Sequence, residues 1–136
     1  MEKKIMVFAT FDGLNPGHIN FFEQARKLTP LPFLVVSIAR DKNVKKIKGK
    51  YPELKENARM RLVKSSPLVD KVVLSGIKDH IPHILKIGPN IIALGYDQKE
   101  YVKDLKKDLK YNGISVSIVR LKPYKEKIYK NQLLKK

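Results

Sequence analysis

The sequence has no cysteine. That absence excludes a disulfide framework, a cysteine nucleophile and every zinc site built on thiolates. Long apolar runs are absent too: the longest, residues 33–39, is about a third of the length of a membrane-spanning helix. The apolar run behind Lys3 and Lys4 stops at Asp12 without a small-residue cleavage site. We therefore expect a cytoplasmic protein that neither crosses nor binds a membrane.

Linkers and repeats are also missing from the 136 residues. No stretch rich in glycine and serine divides the chain, and no segment is repeated or of low complexity. A chain of this length hides roughly two-thirds of its unfolded surface when it folds, so it needs no covalent crosslink. We expect a single domain over residues 1–136.

Acidic residues are scarce, with 13 Asp and Glu against 29 Lys and Arg, and the net charge is +16. Such a surplus favours an anionic partner: nucleic acid, an acidic membrane face or a phosphate-rich small molecule. A merely solvated lysine-rich surface is the alternative for most of the chain. Residues 42–50 are the exception, because five lysines cluster there, and such clustering suits a polyphosphate.

Apolar runs alternate with amphipathic segments along the chain. The pattern predicts strands at residues 5–9, 33–39, 71–74, 91–94 and 114–119, helices at 17–28, 53–65, 79–87 and 98–111, and a loop at 42–50. Strands joined by helical crossovers predict a parallel sheet with helices on both faces. In such sheets ligands bind at the carboxyl ends of the strands, where the strand order reverses. Site residues are therefore expected just after the first, second, fourth and fifth strands.

The turn after the first strand has the features of an anion site. Pro16 and Gly17 open a helix, and a helix N-terminus presents unpaired N–H groups to a ligand. Gly17 allows a ligand to approach the backbone closely, and His18 can donate a hydrogen bond to the same anion. The residues alone leave a second interpretation open, a capped helix that carries a surface histidine.

Four segments in order resemble the cytidylyltransferase-like nucleotidyltransferases. Residues 9–18, Ala-Thr-Phe-Asp-Gly-Leu-Asn-Pro-Gly-His, resemble the family's G-T-F-D-x-x-H-x-G-H. Residues 39–50 resemble its lysine loop, and Pro52 with residues 56–59 resembles P-x-x-x-E-x-x-R. Residues 89–98, Pro-Asn-Ile-Ile-Ala-Leu-Gly-Tyr-Asp-Gln, resemble P-D-I-I-x-L-G-x-D-Q. Together they span most of the chain, and they are most similar to the archaeal-type FAD synthetases.

The resemblance implies a single Rossmann-like α/β domain with a five-stranded parallel sheet, and it implies nucleotidyl transfer. A phosphate of an acceptor such as FMN attacks the α-phosphorus of ATP, with Mg²⁺ present, and pyrophosphate leaves without a covalent enzyme intermediate. Alternatives are a cytidylyltransferase, a sugar-phosphate adenylyltransferase and a non-catalytic nucleotide-binding homologue. Nucleic-acid binding is supported only by charge and is not expected. A homodimer is compatible with the resemblance.

The resemblance also implies site residues. Catalytic roles fall on Asn15 and His18, which face the triphosphate, and on Lys46 and Lys48, which neutralise the leaving group. Apart from the resemblance, Arg59 fits two roles equally: a contact with the acceptor phosphate, or a surface ion pair with Glu56 at i and i+3. The implied nucleotide contacts are Ala9, Thr10, Phe11, Asp12, Asn15, Pro16, Gly17, His18, Gly95, Tyr96, Asp97, Arg120 and Tyr124.

The sequence departs from the family pattern at some positions. Asn15 stands where the family has its first histidine, and it can donate a hydrogen bond but carries no positive charge. Ala9 replaces a glycine, and residues 128–133 lack the family's I-S-S-T-like signature. His80 and His83 have the spacing of metal ligands, but no carboxylate cluster follows them, so no metal site is predicted.

Overall fold

The computed structural model describes residues 1–75, 80–96, 98 and 105–123, with the His80 side chain left out. Site predictions for Asp97 and Tyr124, the tail at 128–133 and the first residues of the last two predicted helices lie outside that part. The elements are β1 Lys3–Ala9, α1 Pro16–Arg26, β2 Pro32–Ile38, α2 Asp41–Lys48, α3 Glu56–Lys64, β3 Lys71–Leu74, α4 His80–Ile87, β4 Ile91–Leu94, α5 Leu105–Tyr111 and β5 Ser117–Arg120.

The five strands form one sheet in the order β3-β2-β1-β4-β5, and every neighbouring pair is parallel. The predicted parallel α/β sheet is therefore confirmed. The chain builds outward from β1 through β2 to β3 and then returns to the other side of β1 for β4. The order thus reverses between β1 and β4, and a crevice is expected at the carboxyl ends of these two strands.

Helices cover both faces of the sheet, as the alternating side chains of β1 illustrate. Ile5 and Val7 pack in one core cluster with Phe22 of α1 and Val63 of α3. Met6 and Phe8 point the other way, into a cluster with residues of α4 and α5: Ile84, Leu105 and Leu109. Because both faces are buried there, residues 5–9 of β1 form a continuous apolar run rather than an alternating one.

Residues 41–48 form a helix, so the predicted loop at 42–50 is wrong. Val44 is buried on its inner side, and Gly49 ends the helix with φ +81°, its N–H bonded to the Lys45 carbonyl. Asp41 lies in the first turn and the lysines lie toward the last, which suits the helix dipole. The lysine-rich sequence obscured this helix because only Val44 and Ile47 are apolar in it.

Smaller differences concern the ends of elements. The helix predicted from residue 53 begins at Glu56, because Lys55 before it is extended, with φ −65° and ψ 156°. The Asp12 carboxylate accepts the N–H groups of Glu53 and Leu54 in the connection ahead of it. β5 begins at Ser117, since Ile114 still donates its N–H to the Leu109 carbonyl at the end of α5. In the part of the chain described, no helix combines the length and apolarity needed to cross a bilayer.

Candidate active site

The side chain of Gln98 joins the carboxyl ends of β1 and β4, where the crevice is expected. The two strands pair at Ile5 with Ile91 and at Met6 with Ile92. Further along, Gln98 Nε2 donates to the Phe8 carbonyl at 2.6 Å, and Gln98 Oε1 accepts from the Gly95 N–H at 2.7 Å. One side-chain amide thus serves the backbone of both strand ends. Sequence reasoning assigned Gln98 no role, although it ends the segment at 89–98 that carried the resemblance.

Arg120 lies on the other side of the same turn. Its Nη1 donates to the Gly95 carbonyl at 2.7 Å and to the Gln98 carbonyl at 3.4 Å. Arg120 follows Val119 in β5, which pairs with β4 and so brings the guanidinium beside Gly95. The predicted residues Gly95 and Arg120 are therefore brought together, and the half-buried Tyr96 comes next in the chain.

The turn after β1 contains a backbone conformation that is unusual for a large residue. Phe11 has φ +54°, and its side chain is buried. The ring packs against the His18 ring at 5.1 Å between centroids and against the Phe22 ring at 5.3 Å. Core packing therefore stabilises a strained conformation just after the carboxyl end of β1. With its side chain in the core, Phe11 can serve a ligand only through its backbone.

Asn15 and His18 bond to one another across the first turn of α1. The Asn15 N–H donates to His18 Nδ1 at 3.1 Å, and the His18 N–H donates to Asn15 Oδ1 at 3.0 Å. Both residues are buried, so the alternative of a surface histidine is wrong. Because Nδ1 accepts a hydrogen bond, the neutral imidazole carries its hydrogen on Nε2. Nε2 is therefore the ring nitrogen that can donate to a phosphate oxygen.

The N-terminus of α1 keeps one backbone donor for an anion. Pro16 has no N–H, while the N–H groups of Asn15 and His18 serve the reciprocal cap just described. Among the described residues, no group accepts a hydrogen bond from the Gly17 N–H. The Gly17 amide and the His18 imidazole thus lie in the same turn, at the positive end of the helix dipole.

Arg59 is fully buried, which contradicts both roles predicted for it. Its Nη1 donates to the Thr10 carbonyl at 2.7 Å and its Nε to the Leu54 carbonyl at 2.9 Å. Its Nη2 pairs with Asp41 Oδ1 at 2.7 Å. Arg59 therefore neither reaches an acceptor phosphate nor forms a surface pair with Glu56, because α3 turns it inward along with Val63. It ties the turn after β1 to the start of α2.

Three carboxylates accept backbone N–H groups around α2 and α3. Asp41 Oδ2 accepts from the Glu56 N–H at 3.2 Å, and Glu56 Oε1 accepts from the Asp41 N–H at 2.9 Å, so α2 and α3 cap each other. Asp12, predicted to contact the nucleotide, instead accepts the N–H groups of Glu53 and Leu54, each at 2.7 Å. Asp12 thus positions the connection between α2 and α3.

Lys46 and Lys48 are exposed in the second half of α2. The helix starts at Asp41, which is bonded to Arg59 and Glu56, so its first turn is fixed next to the turn after β1. The helix rises about 1.5 Å per residue, which carries the two lysines away from that anchor. Lys45 in the same helix lies over the Tyr51 ring, with Nζ 5.1 Å from the centroid.

No cluster of three or more potential metal ligands occurs among the described residues. His83 Nε2 lies 2.8 Å from the hydroxyl of Ser37, which is buried in β2. His83 is half-buried, and the His80 side chain lies outside the described part.

Comparisons with known proteins agree with this arrangement. The sequence profile described as cytidylyltransferase-like matches residues 6–131. The chain is 43% identical over 122 residues to an FAD synthase of Korarchaeum cryptofilum, covering 89% of this chain and 82% of that protein. It is 42% identical over 120 residues to an FAD synthase of Ferroglobus placidus, covering 88% and 76%.

Solved structures share the fold. A protein of Thermoplasma volcanium described as a lipopolysaccharide core biosynthesis protein superposes with a TM-score of 0.82 and 35% identity, covering 90% of this chain and 98% of that one. Pantothenate synthetase of Thermus thermophilus superposes with a TM-score of 0.61 over 88% of this chain and 55% of its own, and at 17% identity it shows the fold alone.

Proposed function

The chain belongs to the cytidylyltransferase-like family, and we propose that it transfers the adenylyl group of ATP to FMN and releases pyrophosphate. The observation that carries this proposal is the extended similarity to archaeal FAD synthases. The fold is consistent with it, because α1 begins after β1 and the Gly95 turn follows β4, the two strands between which the strand order reverses.

The reaction needs positioning and charge rather than a protein nucleophile. An oxygen of the FMN phosphate forms a bond to the α-phosphorus of ATP, while the bond from that phosphorus to the bridging oxygen of pyrophosphate breaks. The Gly17 N–H and His18 Nε2 are the donors we assign to the triphosphate. They act from a helix start that is already rigidly capped, so little reorganisation is needed as charge moves.

Other residues are assigned to the two ends of ATP, the outer phosphates and the nucleoside. We assign Lys46 and Lys48 of α2 to the leaving pyrophosphate, where ammonium groups offset the developing negative charge. Gly95, Tyr96 and Arg120 at the ends of β4 and β5 are assigned to the nucleoside side of ATP. Ala9 and Thr10 border the same crevice at the end of β1.

Magnesium enters this proposal as part of the substrate. Both oxygens of Asp12 accept backbone N–H groups, and both oxygens of Asp41 are used by Arg59 and Glu56. These two carboxylates are therefore poor candidates for holding a metal ion by themselves. Mg²⁺ usually keeps water ligands and binds through substrate phosphates, so we infer that it arrives as MgATP and neutralises the outer phosphates.

A second candidate is nucleotidyl transfer to a different phosphorylated acceptor. The sequence leaves a cytidylyltransferase and a sugar-phosphate adenylyltransferase open, and the similar Thermoplasma volcanium protein is described as a lipopolysaccharide core biosynthesis protein rather than as an FAD synthase. A homologue that binds nucleotides without turnover is the third candidate. Cytoplasmic location, a homodimer and the absence of nucleic-acid binding stay predictions.

The test incubates the purified chain with MgATP or MgCTP and with FMN or a sugar phosphate. FAD is separated by chromatography and pyrophosphate is measured independently. We expect FAD and pyrophosphate in equal amounts from ATP and FMN. Faster product formation from CTP or from a sugar phosphate contradicts the proposal in favour of the second candidate. Nucleotide binding without any product supports the third.

A further inference from the structure

A half-buried arginine at the carboxyl edge of the sheet lacks a carboxylate partner. Arg40 directly precedes α2, and its Nε donates to the Ser75 carbonyl at 2.8 Å. The ion pairs among the described residues are Arg26 with Asp70 and Arg59 with Asp41. Within that same part, Nη1 and Nη2 of Arg40 have no acceptor. A guanidinium fixed by one nitrogen keeps the others for an anion.

Ser75 supplies a second observation beside this arginine. It follows β3 directly, its N–H donates to the Ile38 carbonyl at 2.8 Å, and only 4% of the residue is exposed. Its Oγ is buried and has no hydrogen-bond partner in the described structure. A buried hydroxyl without a partner is destabilising, and a polar ligand that bonds to it offsets that cost. Arg40 and Ser75 therefore offer complementary donors at one place.

The sheet register puts this place next to the crevice. Ala9 pairs with Ile38, and Ile38 pairs with Leu74, so Thr10, Arg40 and Ser75 all follow strand ends along one edge. Neighbouring strands lie about 4.8 Å apart, so Ser75 is roughly 10 Å from the turn after β1. The nucleotide is assigned to the side of β1 that faces β4. Arg40 and Ser75 follow β2 and β3, which lie on the other side of β1.

We propose that Arg40 and Ser75 form the subsite for the phosphate monoester of the acceptor, an inference that rests on the proposed function. The guanidinium binds two phosphate oxygens and the Ser75 hydroxyl donates to the phosphate group. This subsite presents the acceptor phosphate from the side of β1 opposite the nucleotide crevice. Arg40 thereby takes the role that the sequence suggested for Arg59, whose guanidinium is committed to Thr10, Leu54 and Asp41.

Binding measurements with matched ligands and variants test the subsite. FMN and riboflavin differ only by the phosphate, and flavin fluorescence reports both; ATP binding is measured by calorimetry. The variants are Arg40→Ala, Arg40→Lys, Ser75→Ala and the control Arg61→Ala, which removes the same charge from an exposed position on α3. Thermal unfolding of every variant establishes that it is folded.

We expect Arg40→Ala to weaken FMN binding about tenfold or more, the loss expected from a hydrogen bond to a charged group. Riboflavin and ATP should bind within about twofold of the parent, and Arg40→Lys should recover only part of the loss. Ser75→Ala should weaken FMN binding by a smaller factor and Arg61→Ala should not change it. Unchanged FMN binding by Arg40→Ala overturns the proposal. An equal loss for ATP and FMN also overturns it, because the arginine then serves the phosphates of ATP.

A second measurement uses the parent protein, so it does not depend on whether the variants fold. It also distinguishes the phosphate subsite from the proposed FAD-forming activity. In the parent protein, the Arg40 Nε–H and Ser75 N–H signals in nitrogen-15 NMR should shift with FMN, and with inorganic phosphate at higher concentration, but not with riboflavin. Absence of shifts with both FMN and phosphate overturns the subsite. If these signals respond but ATP and FMN give no FAD, the proposed function fails while the phosphate subsite stands.

Discussion

The side-chain oxygen of Asn15 accepts the backbone N–H of His18 at 3.0 Å, and the His18 ring accepts the backbone N–H of Asn15 at 3.1 Å. Each residue therefore fixes the other at the entrance to α1. The His18 ring is oriented by the backbone N–H of Asn15, the position at which the family pattern has a histidine. Asn15 carries no positive charge, unlike a protonated histidine at that position, but it forms a helix cap that orients the His18 imidazole.

Asn15→Ala should lower the free energy of unfolding by about 1 kcal/mol, because it removes the acceptor for the His18 N–H. Asn15→Asp keeps the acceptor oxygen at the same place and Asn15→Ser supplies a shorter one that also caps helices, so both should lose less. Urea unfolding monitored by circular dichroism measures the difference. Equal losses in all three variants would show that the cap contributes nothing to stability.

His18→Ala should weaken ATP binding or the transition state by about 1.5–3 kcal/mol, the range for a hydrogen bond to a charged group. The ring also packs on Phe11, so the assay temperature must lie below the unfolding transition of the variant. Calorimetric titration with ATP and steady-state FAD formation give the two energies. His83→Ala, which changes a histidine bonded to Ser37, is the control and should leave both energies near those of the parent.

Lys46→Ala and Lys48→Ala should reduce the affinity for ATP more than that for AMP, because their ammonium groups are assigned to the outer phosphates. The loss for ATP should shrink as salt is raised, since exposed charges are screened within about 10 Å at 0.1 M salt. Lys106→Ala removes an equally exposed charge from α5 and serves as the reference. Equal losses for ATP and AMP would argue that α2 contacts something other than the leaving group.

Gln98→Ala should open the crevice between β1 and β4, because one amide serves both Phe8 and Gly95. The Gly95 N–H should then exchange with solvent faster, and ATP affinity should fall. Hydrogen exchange followed by NMR checks the first effect and calorimetry the second. Gln24→Ala is a suitable comparison, since Gln24 also bridges two elements but lies at Lys122, and it should leave the Gly95 amide protected. An unchanged exchange rate in Gln98→Ala would contradict the bridge.

The sequence was sufficient to predict the parallel sheet, and the sheet edge at which we propose the site follows from it. Buried strands such as β1 are continuous apolar runs, and the rule for strand order then places the turns at Thr10 and Gly95 together. The roles of Arg59 and Gln98 could not be predicted in this way. Their partners Thr10, Asp41 and Phe8 are distant in sequence, and local periodicity contains no information about such contacts.

Arg59→Ala should destabilise the protein by about 3 kcal/mol or more. It removes the cation that pairs with Asp41, and it leaves the carbonyls of Thr10 and Leu54 without their hydrogen-bond donor. Arg26→Ala is the matched control: Arg26 also pairs with an aspartate and donates to a carbonyl, but its side chain is 28% exposed. A partly exposed pair contributes about 1 kcal/mol or less.

Urea unfolding of both variants compares these energies. Arg59→Lys should recover only part of the loss, since one ammonium cannot reproduce the three directions in which the guanidinium donates. The folded fraction of Arg59→Lys should also bind ATP more weakly, because the turn after β1 loses its link to α2, whereas Arg26→Ala should bind ATP like the parent. A loss for Arg59→Ala no larger than for Arg26→Ala would contradict the structural role. Tighter FMN binding by the parent than by Arg59→Lys, with unchanged ATP binding and stability, would return Arg59 to the acceptor phosphate.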